Sequence, residues 1–151
     1  MPDNRTLLAA SLFLWLIAVP TMHAIQPRSA IAAGDVPCDI QHGPCTTKAN
    51  GMTITFDIRP KPVRPMSELQ FTVTVKKNRI PATDASVALD LSMPGMYMGK
   101  NRPALKHVGR GVYQGSGIIT RCTTGKKTWL AKVTVGRGDP AAIAQYQFEV
   151  Q

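Results

Sequence analysis

Met52-Thr53-Ile54-Thr55-Phe56-Asp57-Ile58 alternates apolar and polar residues without a break. A strand turns successive side chains to opposite faces, so Met52, Ile54, Phe56 and Ile58 make one apolar face while Thr53, Thr55 and Asp57 face the other way. The same period recurs outward from this stretch. Leu69, Phe71, Val73 and Val75 alternate against Thr72, Thr74 and Lys76, and Val87, Leu89 and Leu91 form a third strand. Residues 105–108 make a short fourth strand and residues 112–121 a fifth. Trp129, Ala131, Val133 and Val135 lie on a sixth, and residues 143–150 make the last, with Tyr146, Phe148 and Val150 on one face. Pro60, Pro62 and Pro65 stop the ladder after the first strand. Gly115 and Gly117 predict a bulge or a close backbone approach in the fifth. About seven short strands separated by Gly- and Pro-bearing turns specify an all-β, immunoglobulin-like β-sandwich over residues 51–151.

The N-terminus reads differently. Residues 7–19 are apolar apart from Ser11, with Arg5 before them and Pro20 after. That run is far short of the roughly 20 residues that span a bilayer as a helix. A short apolar core behind a cationic residue reads as a signal peptide over residues 1–24, or an uncleaved anchor helix. Ala24 and the Ala30-Ile31-Ala32 triplet are the two candidate cleavage positions. Residues 25–50 read as a flexible tether with a Cys loop. The domain is therefore expected outside the cytoplasm, periplasmic or anchored to the membrane by its N-terminus.

The formal net charge is +9. The cations are spread over turns and strand ends (Lys76, Lys77, Arg79, Lys100, Arg102, Lys126, Lys127), with no dense run and no interleaved aromatic residues of the kind that stack on bases. This argues against nucleic acid and leaves solubility and peripheral contact with anionic lipid. Cys38, Cys45 and Cys122 make an odd count, so at least one is free, metal-bound or paired between chains. A Cys38–Cys45 disulfide would close a small loop, and a Cys45–Cys122 disulfide would pin the N-terminal segment to the fifth strand. Cys38, His42 and Cys45 also have a spacing that offers two thiolates and an imidazole to a metal.

The most unusual segment is Ser92-Met93-Pro94-Gly95-Met96-Tyr97-Met98-Gly99-Lys100-Asn101. Thioether sulfur is a soft donor that suits Cu(I) far better than zinc, magnesium or calcium. Met93, Met96 and Met98 are the candidate ligands, with His107 a few residues on and Met52 and Met66 more distant. Methionine is also a flexible filler, and the open end of a sandwich often takes one. No nucleophile elbow, phosphate loop or Ser–His or Cys–His pairing is present, so the chain reads as no enzyme.

Met93-Pro94-Gly95-Met96-Tyr97-Met98-Gly99, Leu105, Gly111-Val112-Tyr113-Gln114-Gly115, Gly125 and Trp129-Leu130-Ala131 together resemble the YtkA-like domain family, and with it the extracytoplasmic part of FixH proteins. The resemblance covers about a third of the chain closely and about two thirds by strand pattern. It implies an immunoglobulin-like sandwich outside the cytoplasm that handles copper, with the methionine loop falling on Met93, Met96 and Met98. The chain departs from the better copper-binding variants in having no histidine inside that loop, and Lys100 and Arg102 oppose a cation there. Two functions are expected. One is an exported copper-binding or copper-transfer module acting on a copper-accepting protein. The other is a non-catalytic structural or interaction domain that supports a membrane respiratory or efflux complex and binds no metal.

Overall fold

The computed structural model describes residues 36–136 and 140–151, and these contain strands and no helix. The signal or anchor segment 1–24 and residues 25–35 of the tether lie outside the described residues. No described helix is long and apolar enough to cross a membrane.

Ten strands follow in order: β1 (Val36–Pro37), β2 (Cys45–Ala49), β3 (Met52–Arg59), β4 (Glu68–Lys77), β5 (Ile80–Pro81), β6 (Ser86–Ser92), β7 (Lys106–Gly109), β8 (Val112–Ile118), β9 (Thr128–Gly136) and β10 (Ala142–Glu149). One sheet has the order β1-β10-β9-β6, and the other β2-β3-β4-β8-β7 with β5 paired to β4. All pairings are antiparallel except that of β1 with β10.

Each strand expected from alternation is present. The fifth ends at Ile118 rather than 121, because Ile119 leaves the ladder to accept the Met66 N–H (2.8 Å). Three strands have no counterpart in the expected seven. β1 and β5 are too short to carry a period, and β2 (Cys-Thr-Thr-Lys-Ala) is polar because it pairs at the edge of its sheet. The span read as a Cys-bearing tether thus supplies two strands from residue 36 onward.

The alternation has the consequence expected of it. Met52, Ile54, Phe56 and Ile58 of β3 are buried with Leu69, Phe71, Val73 and Val75 of β4. Trp129, Ala131, Val133 and Val135 of β9, and Ala142, Ala144, Tyr146 and Phe148 of β10, are buried from the other sheet. The two faces meet. The Phe56 ring stacks on Tyr146 at 5.5 Å and tilts against Phe148 at 6.2 Å, and the Tyr146 hydroxyl donates to the Ile54 carbonyl at 2.6 Å. Burial pushes the Tyr146 phenol up to about 12, so it donates as a neutral group at ordinary pH.

Cys38 and Cys45 form the disulfide, which rules out the Cys45–Cys122 pairing. The ring holds Ile40 at 1% exposure against the core, and Cys38 N–H continues the β1 pairing by donating to Gln147 O at 2.8 Å. Closing a loop of this size (sequence separation 7) removes chain entropy worth about 2–3 kcal/mol from the unfolded state. Cys38→Ser with Cys45→Ser is expected to lower unfolding stability by about that amount. The measurement is urea unfolding of both proteins without reductant, and coincident midpoints would show that the ring contributes nothing.

Candidate soft-metal site

β6 ends at Ser92, and the next four residues turn back on themselves. Pro94 supplies the fixed φ that the second position of a tight turn favours, and Gly95 supplies φ +72° at the third. The Met96 N–H donates to Met93 O at 3.2 Å, and the two residues form an antiparallel bridge. Residues directly opposite in such a bridge direct their side chains to the same side, so Met93 and Met96 share a face. Met93 is 3% exposed and part of the core, whereas Met96 and Met98 are half-buried against it. The rest of the loop is tied down at its far end. Asn101 O accepts the Leu91 N–H (2.8 Å), the Asn101 amide donates to Ile118 O (2.9 Å), and Arg102 pairs with Asp90 (2.6 Å). The loop thus crosses from the β6 edge of one sheet to β8 of the other.

Cys122 reaches this place from a distant part of the chain. It opens the turn that links β8 to β9, with the Gly125 N–H donating to Cys122 O at 3.1 Å. Its thiol is free, the residue is 5% exposed, and Sγ lies 3.6 Å from the Met96 Sδ. The Thr124 hydroxyl sits 3.0 Å from the same sulfur. That hydroxyl is the main reason the Cys122 pKa is lowered. Burial opposes the shift, and backbone N–H groups and the Lys126 charge reinforce it. A thiol with hydrogen-bond donors and a cation beside it gives up its proton more readily than an ordinary one.

The other sequence candidates lie elsewhere. His107, in β7, stands opposite Tyr113 with ring centroids 4.9 Å apart. The Tyr113 hydroxyl is bonded to Ala82 O and the Ala85 N–H, just before β6 begins. Met93 follows the other end of that seven-residue strand, so roughly 20 Å of β6 separates His107 from the methionine turn. Met52 is a core residue of β3, and Met66 is 64% exposed with φ +60°. The disulfide consumes the thiols of Cys38 and Cys45, and His42 is exposed with its Nδ1 2.7 Å from Asp39. Among the described residues no three of His, Cys, Asp and Glu gather as a metal cluster, so a metal ion at this end depends on thioether sulfur.

The pair at the centre of the site, Met96 and Cys122, was not legible as a pair. An odd cysteine count signals a spare thiol, yet nothing in spacing says that residues 26 apart in sequence meet. Comparisons of the chain with family models, with curated proteins and with solved structures find no match.

The arrangement has definite chemical abilities. Two soft sulfurs stand together, one on a buried thiol whose pKa is lowered and one on a half-buried methionine. Metal–sulfur bonds of about 2.3 Å meeting near the tetrahedral angle hold two sulfurs about 3.8 Å apart, taking the zinc–sulfur length as the guide. The Met96–Cys122 separation of 3.6 Å is within a few tenths of that. Met93, on the same face as Met96, is a source of a third sulfur.

Proposed function

We propose that this chain is an exported copper-handling module that holds Cu(I) at its sulfur-bearing end and passes it to an acceptor at a membrane. The observation that carries the reading is the approach of Cys122 Sγ to Met96 Sδ at 3.6 Å. The Cys122 thiolate would neutralise the cation, and the Met96 and Met93 thioethers would complete a soft set that discriminates against hard metals. A shallow site of few ligands suits a carrier, since cargo held this way can be handed on. The disulfide suits an oxidising compartment outside the cytosol. The immunoglobulin-like description and the likeness to the YtkA-like family belong to the same reading. Four sheet changes along the chain and the parallel pairing of the first strand with the last support that architecture.

The proposed site is not the full set expected from spacing. This reading adds Cys122 and leaves out His107, and that gives it a different pH behaviour. Thioethers have no proton to lose, but a thiol must ionise to bind, and Cu(I) affinity should therefore fall as the pH is lowered.

The test is a Cu(I) competition titration of the full chain against a chromophoric chelator. Met96→Leu and Cys122→Ser are each expected to weaken binding by roughly a hundredfold, about 2.8 kcal/mol. His107→Ala should leave affinity unchanged. Equal, weak binding in all four proteins would end the copper reading. That result would favour the rival, an interaction domain without metal. The observation on its side is Tyr97, 85% exposed at the tip of the methionine loop, with Ile118 50% and Met66 64% exposed.

A further inference from the structure

A second feature of the same end does not use the methionines. A cavity of about 320 Å³ lies between the Cys122 turn, Pro65 and the end of β10. Its floor is apolar, built from Trp129, Cys122, Val150 and Pro65, and its rim carries Arg121, Lys126 and Lys127. Trp129 is 1% exposed, and its indole Nε1–H has no hydrogen-bond acceptor among the described residues. Leaving such a donor buried and unpaired costs about 1–3 kcal/mol. The three cations are exposed, and among the described residues none of them forms an ion pair with a carboxylate.

Thr120 and Gln151 add neutral polar groups to the lining beside the three cations. The wall chemistry describes a molecule with two ends, an apolar body on the Trp129 floor and a negative group at the rim. A cavity of this size is at the small end of the range for small-molecule sites.

We infer that this cavity binds a small organic carboxylate whose apolar body packs on Trp129 and Val150 and whose carboxylate sits between Arg121, Lys126 and Lys127. The ligand brings an anion to the unpaired rim cations and an apolar body to the Trp129 and Val150 side of the cavity. Charge-assisted hydrogen bonds to the three cations set its orientation. The cavity shares Cys122 with the copper reading but does not rest on it, because its test uses neither copper nor the methionines.

The test uses the indole itself as the probe. The chain has two tryptophans, so Trp15→Phe leaves a single indole N–H signal in a nitrogen–proton NMR spectrum. Titration of that full-length protein with phenylacetate should move the Trp129 signal saturably. The same titration of Trp15→Phe with Lys126→Gln and Lys127→Gln should reach its midpoint at a concentration about tenfold higher or more. Benzyl alcohol, which has the body without the charge, and inorganic phosphate, which has the charge without the body, should both act far more weakly. Absence of a saturable shift would overturn the inference. So would an equal midpoint for benzyl alcohol, for phosphate, or for the lysine variant.

Discussion

Phe56→Ala is expected to destabilise the protein by about 3–5 kcal/mol, the usual range for deleting a buried aromatic ring. Phe56 has no exposed surface, and it is the residue at which the sheets meet. Its ring contacts Tyr146 and Phe148 across the interface, so the substitution removes apolar burial and two aromatic pairs together. The neighbouring backbone cannot collapse into the space, because β3 is held by β4 along its length and by β2 from Met52 to Phe56. Tyr146 is fixed as well by its hydroxyl on Ile54 O. Urea unfolding followed by circular dichroism measures the effect. A loss below about 1 kcal/mol would mean that the two inner faces are not packed on each other as described.

Gly115→Ala is the second large effect, at about 3 kcal/mol, the upper part of the usual range for overpacking. A Cβ at residue 115 would overlap the Ala104 carbonyl oxygen and lie 3.0 Å from both the Ala104 carbonyl carbon and the Leu105 Cδ2. The obstacle is backbone, and that backbone is anchored on both sides. Asn101 and Arg102 tie down the segment before it, and Lys106 pairs with Gln114 after it. Gly117→Ala is the control. Its Cβ would meet the Phe71 ring edge and the Pro103 ring, each at 3.2 Å, contacts that shifts of a few tenths of an ångström relieve. Thermal melts of the two variants should therefore differ widely, and similar melting temperatures would contradict the close approach at Ala104. Because that segment leads directly from the methionine loop into β7, Gly115→Ala should also disturb the sulfur site, whereas Gly117→Ala should not.

These two positions also mark how far the sequence could be read. Phe56 was identifiable as a core residue because a period of two is a property of the strand itself. Gly115 was identifiable as a position with some special demand, since glycine weakens a strand unless it is needed there. Whether the demand was a bulge or a close approach was open, and the answer depends on Ala104, a residue of another segment. β2 carries no apolar period for a similar reason. Its residues are polar because they lie at a sheet edge, and an edge exists only after the sheet has assembled.

The sulfur-bearing end divides the same way. Alternation, turn residues and the methionine triplet were determined by the sequence alone, because each is a relation between near neighbours. The thiol beside Met96, the placing of His107 near the far end of β6, the choice of Cys45 as the partner of Cys38, and the burial of the Trp129 indole without a hydrogen-bond partner were decided by tertiary structure. Each is a contact between side chains that different strands carry to one place. Sheet order and strand direction fix such contacts, and no local period encodes either.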